Sequence, residues 1–185
     1  MPSKLFVFLA ALATLTTAFK LPTNLADGAY EVTIKPSTGA EEMITIPIAT
    51  NSTSVPAPPK PTRLQKRVNW PSGTEPKCAT NLFWEVDFYE LSYNGFYQAC
   101  EYHFKRGDKL KDKRAVFVKS GSSVSCMCNY SSKGSPCSPE EWWDAVDKVA
   151  RQCSTGRDGW RQGGHLSIPS WKKTYGFENS DADFC

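Results

Sequence analysis

Apolar and polar residues alternate along Leu82-Phe83-Trp84-Glu85-Val86-Asp87-Phe88, the period of a strand with one buried face. The period then lengthens to that of a helix. Phe96, Ala99, Cys100 and Phe104 fall on one stripe, Asn94 stands at the cap position, and Gly107 follows Lys105-Arg106 as a terminator. Ala115-Val116-Phe117-Val118 predicts a second strand, which turns at Gly121-Ser122-Ser123 into a third, Val124 to Tyr130. Period two places Val124, Cys126, Cys128 and Tyr130 on one face of that strand, with Ser125, Met127 and Asn129 on the other.

The second helix has the fullest signature. Ser138 caps it, Pro139 takes the first helical position where a missing N–H costs nothing, and Glu141 completes a capping box. Trp142, Ala145, Val146, Val149, Ala150 and Cys153 form its apolar stripe, opposite Asp144, Asp147, Lys148 and Arg151. Past Gly156, the stretches around Trp160, His165 to Ile168, Trp171 and Tyr175 predict two more short strands. The expected fold is α+β: a two-layer sandwich whose antiparallel sheet of about four to five strands is covered on one face by two helices.

Upstream the pattern is sparser. Lys4 and the apolar run Leu5 to Leu15, with small residues at Thr16 and Ala18, read as a secretory signal peptide over residues 1–18; the run is shorter than the roughly 20 residues that span a bilayer. Residues 19–67 contain no cysteine and seven of the 13 prolines. Their alternating runs Tyr30 to Ile34 and Met43 to Ile46 fit a small hairpin across Gly39, which alone is marginal in water. Both a flexible spacer and a pro-segment assisting folding or transit fit this stretch. The proline-rich run Pro56 to Pro61 presents Lys66-Arg67 on extended chain, as a kexin-type processing site needs. Cutting there leaves residues 68–185 as one cysteine-rich mature domain.

Composition refines this division. The formal charge of +3 belongs to the precursor: seven of the 22 basic and four of the 19 acidic residues precede Val68, leaving 15 of each beyond it. General cationic affinity for nucleic acid or membrane is thereby disfavoured. All seven cysteines, Cys78, Cys100, Cys126, Cys128, Cys137, Cys153 and Cys185, lie after Arg67 and imply a disulfide framework using six of the seven, with connectivity open. Cys126 and Cys128 need different partners. Cys137 and Cys153 stand about 24 Å apart along their helix and cannot bond each other. The Cys126-Met127-Cys128 spacing does not suit zinc, and neither a metal nor a cofactor is expected.

Nineteen of the 23 aromatics, including all six tryptophans, follow Arg67 and supply a core.

The run Cys128-Asn129-Tyr130-Ser131, Cys137 to Glu141, Cys153, Gly159-Trp160, Trp171 to Gly176 and Phe184-Cys185 resembles small secreted cysteine-rich proteins of filamentous fungi, many of them candidate effectors. The signal, pro-segment and dibasic cut match the precursor layout of that group. More distantly, the last 70 or so residues are similar to virally encoded fungal killer toxins, whose fold is an α/β sandwich. The odd cysteine count departs from the expected pattern, and neither resemblance carries over active-site residues.

Candidate chemistry is limited. His103 and His165, with Glu101 near the first, are the residues an acid–base cleavage of RNA would use, as in the small guanyl-specific fungal ribonucleases that the domain resembles in size. A packed, hydrogen-bonded His103 is the plain structural reading. Lys105, Arg106, Lys109, Lys111, Lys113 and Arg114 form a local basic excess suited to an anionic surface or acidic partner, or simply to a solvated loop. Asn51 and Asn129 head glycosylation sequons, the first of which would leave with the pro-segment. The expectation is a secreted, extracellular effector or toxin-like protein that binds a host or competitor-cell target without catalysis, translocation into host cells being left open. The alternatives are a secreted ribonuclease and a cell-wall or polysaccharide-binding defensive protein, for which exposed tryptophans would be the mark.

Overall fold

The computed structural model describes residues 19–34, 41–48, 68–111, 114–153 and 158–184. The signal peptide, Asn51, the Lys66-Arg67 pair, Lys113 and Cys185 lie outside the described residues.

In chain order the elements are β1 (Phe19–Lys20), β2 (Gly28–Ile34), β3 (Glu41–Ile46), β4 (Glu75–Trp84), a single turn α1 (Glu85–Asp87) continuing as a π-helical turn (Phe88–Ser92), α2 (Tyr93–Lys105), β5 (Arg114–Ser120), β6 (Ser123–Asn129), α3 (Pro139–Gln152), β7 (Trp160–Ile168), a 3-10 turn (Pro169–Trp171), β8 (Lys173–Asn179) and β9 (Asp183–Phe184). Seven strands form one antiparallel sheet in the order β3-β2-β5-β6-β8-β7-β4, and β1 pairs with β9 in a separate two-stranded ladder.

The expectation of four to five strands is therefore overturned. Two of the additional strands come from the segment ahead of Arg67. Strand β2 pairs with β3 on one side, as the hairpin reading has it, but on its other side runs along β5, from Gly28↔Lys119 to Thr33↔Arg114. Strand β4 also begins earlier than the apolar pattern suggests. As a sheet edge it is exposed along most of Glu75 to Leu82, so alternation has no buried face to record there. Where the alternation does appear strong, over Glu85 to Phe88, the chain has already turned helical: the Glu85 N–H bonds the Gly159 carbonyl at 2.8 Å and the backbone leaves the sheet.

The sheet's two faces differ. On one, Val116, Val118, Met127, Leu166, Ile168, Tyr175 and Phe177 meet Phe96, Ala99 and Cys100 of α2 and Trp142, Ala145 and Val149 of α3 in a continuous core. On the other, Tyr30, Val32, Phe117, Val124, Cys126 and Cys128 are covered by Leu21, with Leu25 and Met43 at the margin. Within α2 the buried stripe uses His103, whereas Phe104 faces water. Asn94 is no cap, because the π-helical turn runs straight into α2; its amide reaches back to the Tyr89 carbonyl. Ser138 does cap α3, accepting from the Glu141 N–H at 3.3 Å, but the Glu141 side chain turns away from a capping box to receive Lys173 and Tyr175.

Two disulfides fasten helices to neighbours. Cys78–Cys153 ties the edge strand β4 to the end of α3, and Cys100–Cys137 ties α2 to the segment entering α3. Cys128 is also disulfide-bonded, and Cys126 is free and buried.

Candidate functional site

At the end of β4 the chain exposes a run of large apolar side chains. Leu82, Trp84, Val86 and Tyr89 are 43%, 44%, 53% and 46% exposed. Trp84, Glu85, Val86, Tyr89 and Gly159 line an open groove of about 740 Å³. Trp84 packs on the half-buried Trp160 across the β4–β7 ladder, their ring centroids 4.5 Å apart and planes 30° from parallel. Gly159 has φ of +81°, and a Cβ there would approach the Trp84 ring to 3.2 Å, so glycine serves both the turn and the stacking.

The support beneath this patch is charged and hydrogen-bonded. Arg161 is buried, and its Nη1 donates to Tyr89 Oη at 2.7 Å and Glu85 Oε1 at 3.1 Å. Its guanidinium lies 5.1 Å from the Phe88 ring centroid and 5.5 Å from those of Tyr89 and Phe177. A desolvated cation held this way gains from each ring face. The Trp84 N–H donates to Ser122 Oγ at 2.9 Å, and the Ser122 hydroxyl and N–H both donate to Asp87 at 2.6 and 2.7 Å. The Asn179 amide fixes the Leu82 carbonyl at 2.6 Å. The exposed rings thus stand on a fixed backbone, as a recognition surface needs.

The sequence-derived candidates fall elsewhere and apart. His103 lies in α2 against the helix-covered face, with Nε2 3.7 Å from Glu31 Oε2 and Nδ1 3.8 Å from Asp108 Oδ2. Burial lowers its pKa, only partly opposed by Glu31 and Asp108, and its Nε2 has no hydrogen-bond partner among the described residues. His165 sits between Gly164 and Leu166 on β7 with the opposite orientation to Leu166, opposite Gly176, and pairs with Glu178 at 3.4 Å. The histidines therefore stand on opposite faces of the sheet and do not converge. Glu101 is engaged with Lys105 at 3.0 Å.

The basic run is largely neutralised by neighbours. Lys105 pairs with Glu101, Arg106 with Asp108 at 2.9 Å, and Arg114 with Glu31 at 2.7 Å, which among the described residues of the run leaves Lys109 and Lys111 as exposed cations. Asn129 is 1% exposed, and its amide donates to the carbonyls of Leu110, Lys111 and Ser131. A glycan on that nitrogen has no room in this fold, because the amide is an internal brace rather than a surface group.

A second groove, of about 800 Å³, is lined by Val68, Trp70, Asp144, Asp147, Lys148 and Arg151 among others. Trp70 spans it, donating its indole N–H to Asp144 and meeting Trp171 at 5.6 Å. Among the described residues no group of three or more His, Cys, Asp or Glu is placed to hold a metal ion. No helix among them is long and apolar enough to cross a membrane.

The patch escapes sequence reading because its tryptophans have the same composition signal as core tryptophans. Only the strand alternation, in which Leu82 and Trp84 flank Phe83, hints that these two point outward. Comparison with known proteins adds no family: no family model, no curated protein and no solved structure matches this chain.

Proposed function

We propose that this chain is a secreted, proteolytically processed and disulfide-stabilised protein that acts by binding, as an effector or toxin-like protein directed at a host or competitor cell, and that its contact surface is the patch of Leu82, Trp84, Val86, Tyr89 and Trp160. The observation that carries the reading is the exposure of Leu82, Trp84, Val86 and Tyr89, with half-buried Trp160 beneath Trp84, on a braced support. Exposed apolar patches in water have a standing cost and mark interaction sites, and aromatic anchors dominate binding energy. The disulfides are compatible with an oxidising extracellular setting.

Substituting Trp84→Ala together with Val86→Ala should abolish binding to target cells in a protein that still folds, as circular dichroism would check, because Tyr89, which accepts from buried Arg161, is left in place. Retained binding by a folded double variant would remove the patch from the proposal. A polysaccharide-binding role draws on one specific feature, the Trp84–Trp160 pair, whose partly exposed rings suit the face of a sugar. Retention on an insoluble cell-wall polysaccharide, lost on Trp84→Ala, would favour that alternative. The ribonuclease alternative needs His103 and His165 at one substrate, an arrangement that their opposite faces of the sheet oppose. Unchanged biological activity of a folded variant carrying both His103→Gln and His165→Gln would exclude it.

A further inference from the structure

We propose that cleavage after Arg67 does not discard the preceding piece: residues 19–67 stay bound to residues 68–185 as a second, non-covalent chain, held through β1, β2 and β3. The inference rests on the processing reading above and changes what the mature protein is.

The attachment is of three independent kinds. First, β2 is an interior strand. It lies between β3 and β5, and the register Gly28↔Lys119 through Thr33↔Arg114 covers all of β5 but Ser120. Withdrawing it would leave that edge unpaired, beside the buried Val116, Phe117 and Val118. Second, the piece fills apolar space on both faces of the sheet. Ala29 and Ile46 belong to the helix-side core, while Leu21, Tyr30 and Val32 complete the opposite cluster, with Tyr30 stacked on Phe117 at 5.2 Å. Third, its carboxylates meet cations and N–H groups of the larger piece. Glu31, itself buried, receives Arg114 at 2.7 Å. Asp27 receives Lys119 at 2.7 Å and the Gly121 N–H at 3.0 Å.

At the far end of the segment the β1–β9 ladder, Phe19↔Phe184 and Lys20↔Asp183, adds a second attachment point away from the main sheet. Chain on both sides of the cut is anchored: Ile46 is buried and Ile48 packs on the core before it, and Trp70 holds Asp144 after it. Residues 19–67 contain no cysteine, so nothing covalent would join the pieces once the backbone is cut.

The test uses the full chain after signal removal, treated with a kexin-type protease and examined twice. Mass spectrometry in denaturant should give two species, beginning at Phe19 and at Val68. Gel filtration of the same sample in native buffer at low micromolar concentration should give a single peak at the elution volume of uncut protein, containing both species. Separate elution of the two pieces would overturn the inference while leaving processing intact. If the mass shows no cut after Arg67, the processing reading falls instead. A variant carrying an unrelated protease's recognition sequence in place of residues 64–67 then decides retention by the same gel filtration.

Discussion

Glu31 is a buried carboxylate that receives Arg114 of β5 at 2.7 Å and faces His103 of α2 at 3.7 Å without a hydrogen bond. The histidine pays attention to pH in a defined direction. Burial holds its pKa below the ordinary value, Glu31 and Asp108 pull it upward, and Arg106 adds to the depression. As pH falls below about 6.5 the unfolded chain takes up the proton first, so the folded state loses stability through this group. Asp27, whose burial is outweighed by Lys119 and the Gly121 N–H so that its pKa is lowered, adds a second loss only in the more acidic range below about 4. The urea midpoint of the native chain should therefore drop between pH 7 and pH 5, and His103→Gln should flatten that drop. Equal slopes in both proteins would assign the effect to other groups.

Lys173 poses a sharper case. Its ammonium is buried, donating to Glu141 Oε2 at 2.7 Å and to the Pro136 carbonyl at 2.8 Å, while Tyr175 Oη also donates to Glu141 at 2.9 Å. Burial lowers the lysine pKa against the opposing pull of Glu141. Removing one partner strands the other charge, so Lys173→Met should cost about 3–5 kcal/mol in urea unfolding. Adding Glu141→Gln to that variant should recover at least about 1 kcal/mol, a coupling that independent sites would not show.

Among the elements, β7 carries the most demanding local geometry. Gly163 and Gly164 sit where its pairing with β4 shifts register, between Cys78 and Leu82 on the partner strand. A Cβ on Gly163 would collide with the Phe177 carbonyl oxygen, and one on Gly164 with the Lys77 carbonyl oxygen and, at 2.9 Å, Val149 Cγ1. Neither backbone oxygen can move without breaking a ladder, so Gly164→Ala should lower stability by about 1–3 kcal/mol, read from chemical denaturation. Legibility from sequence divides along the same lines. Helix α3 is readable because its cap and proline adjoin in sequence and its stripe repeats at helical spacing along the same segment, and β5 and β6 because both their faces are buried. The edge strand β4 is not, since exposure removes the apolar alternation on which the reading depends. The hairpin of β2 and β3 is visible as local alternation, but its attachment to β5 is a contact across the chain that no local pattern encodes. Likewise the patch at Trp84 and Tyr89 comes from where β4 ends in space, and the burial of His103 in place of Phe104 depends on β2 packing over the end of α2.

For the molecule as a whole, the long-range bridge Cys78–Cys153 joins positions 75 residues apart, connecting the outer edge of the sheet to α3. A cross-link closing so long a loop restricts the unfolded chain strongly, and replacing both cysteines by serine should cost about 2–5 kcal/mol in denaturant unfolding. A shift smaller than about 1 kcal/mol would mean that the β4–β7 ladder and the α3 packing hold the edge without it.

That separation also governs the order in which the protein can be made. At about 5–20 residues per second of synthesis, Cys78 precedes Cys153 by roughly 4–15 s. During that interval Cys78 is a thiol without its partner while Cys100, Cys126, Cys128 and Cys137 emerge beside it. In the finished fold burial pushes the Cys126 thiol pKa up strongly, but that protection waits for β8, which is made after Cys153. The yield of correctly bridged protein is thus set by how readily early bridges reshuffle once Cys153 and β8 have been made, and exchange matters most to the cysteine that waits longest.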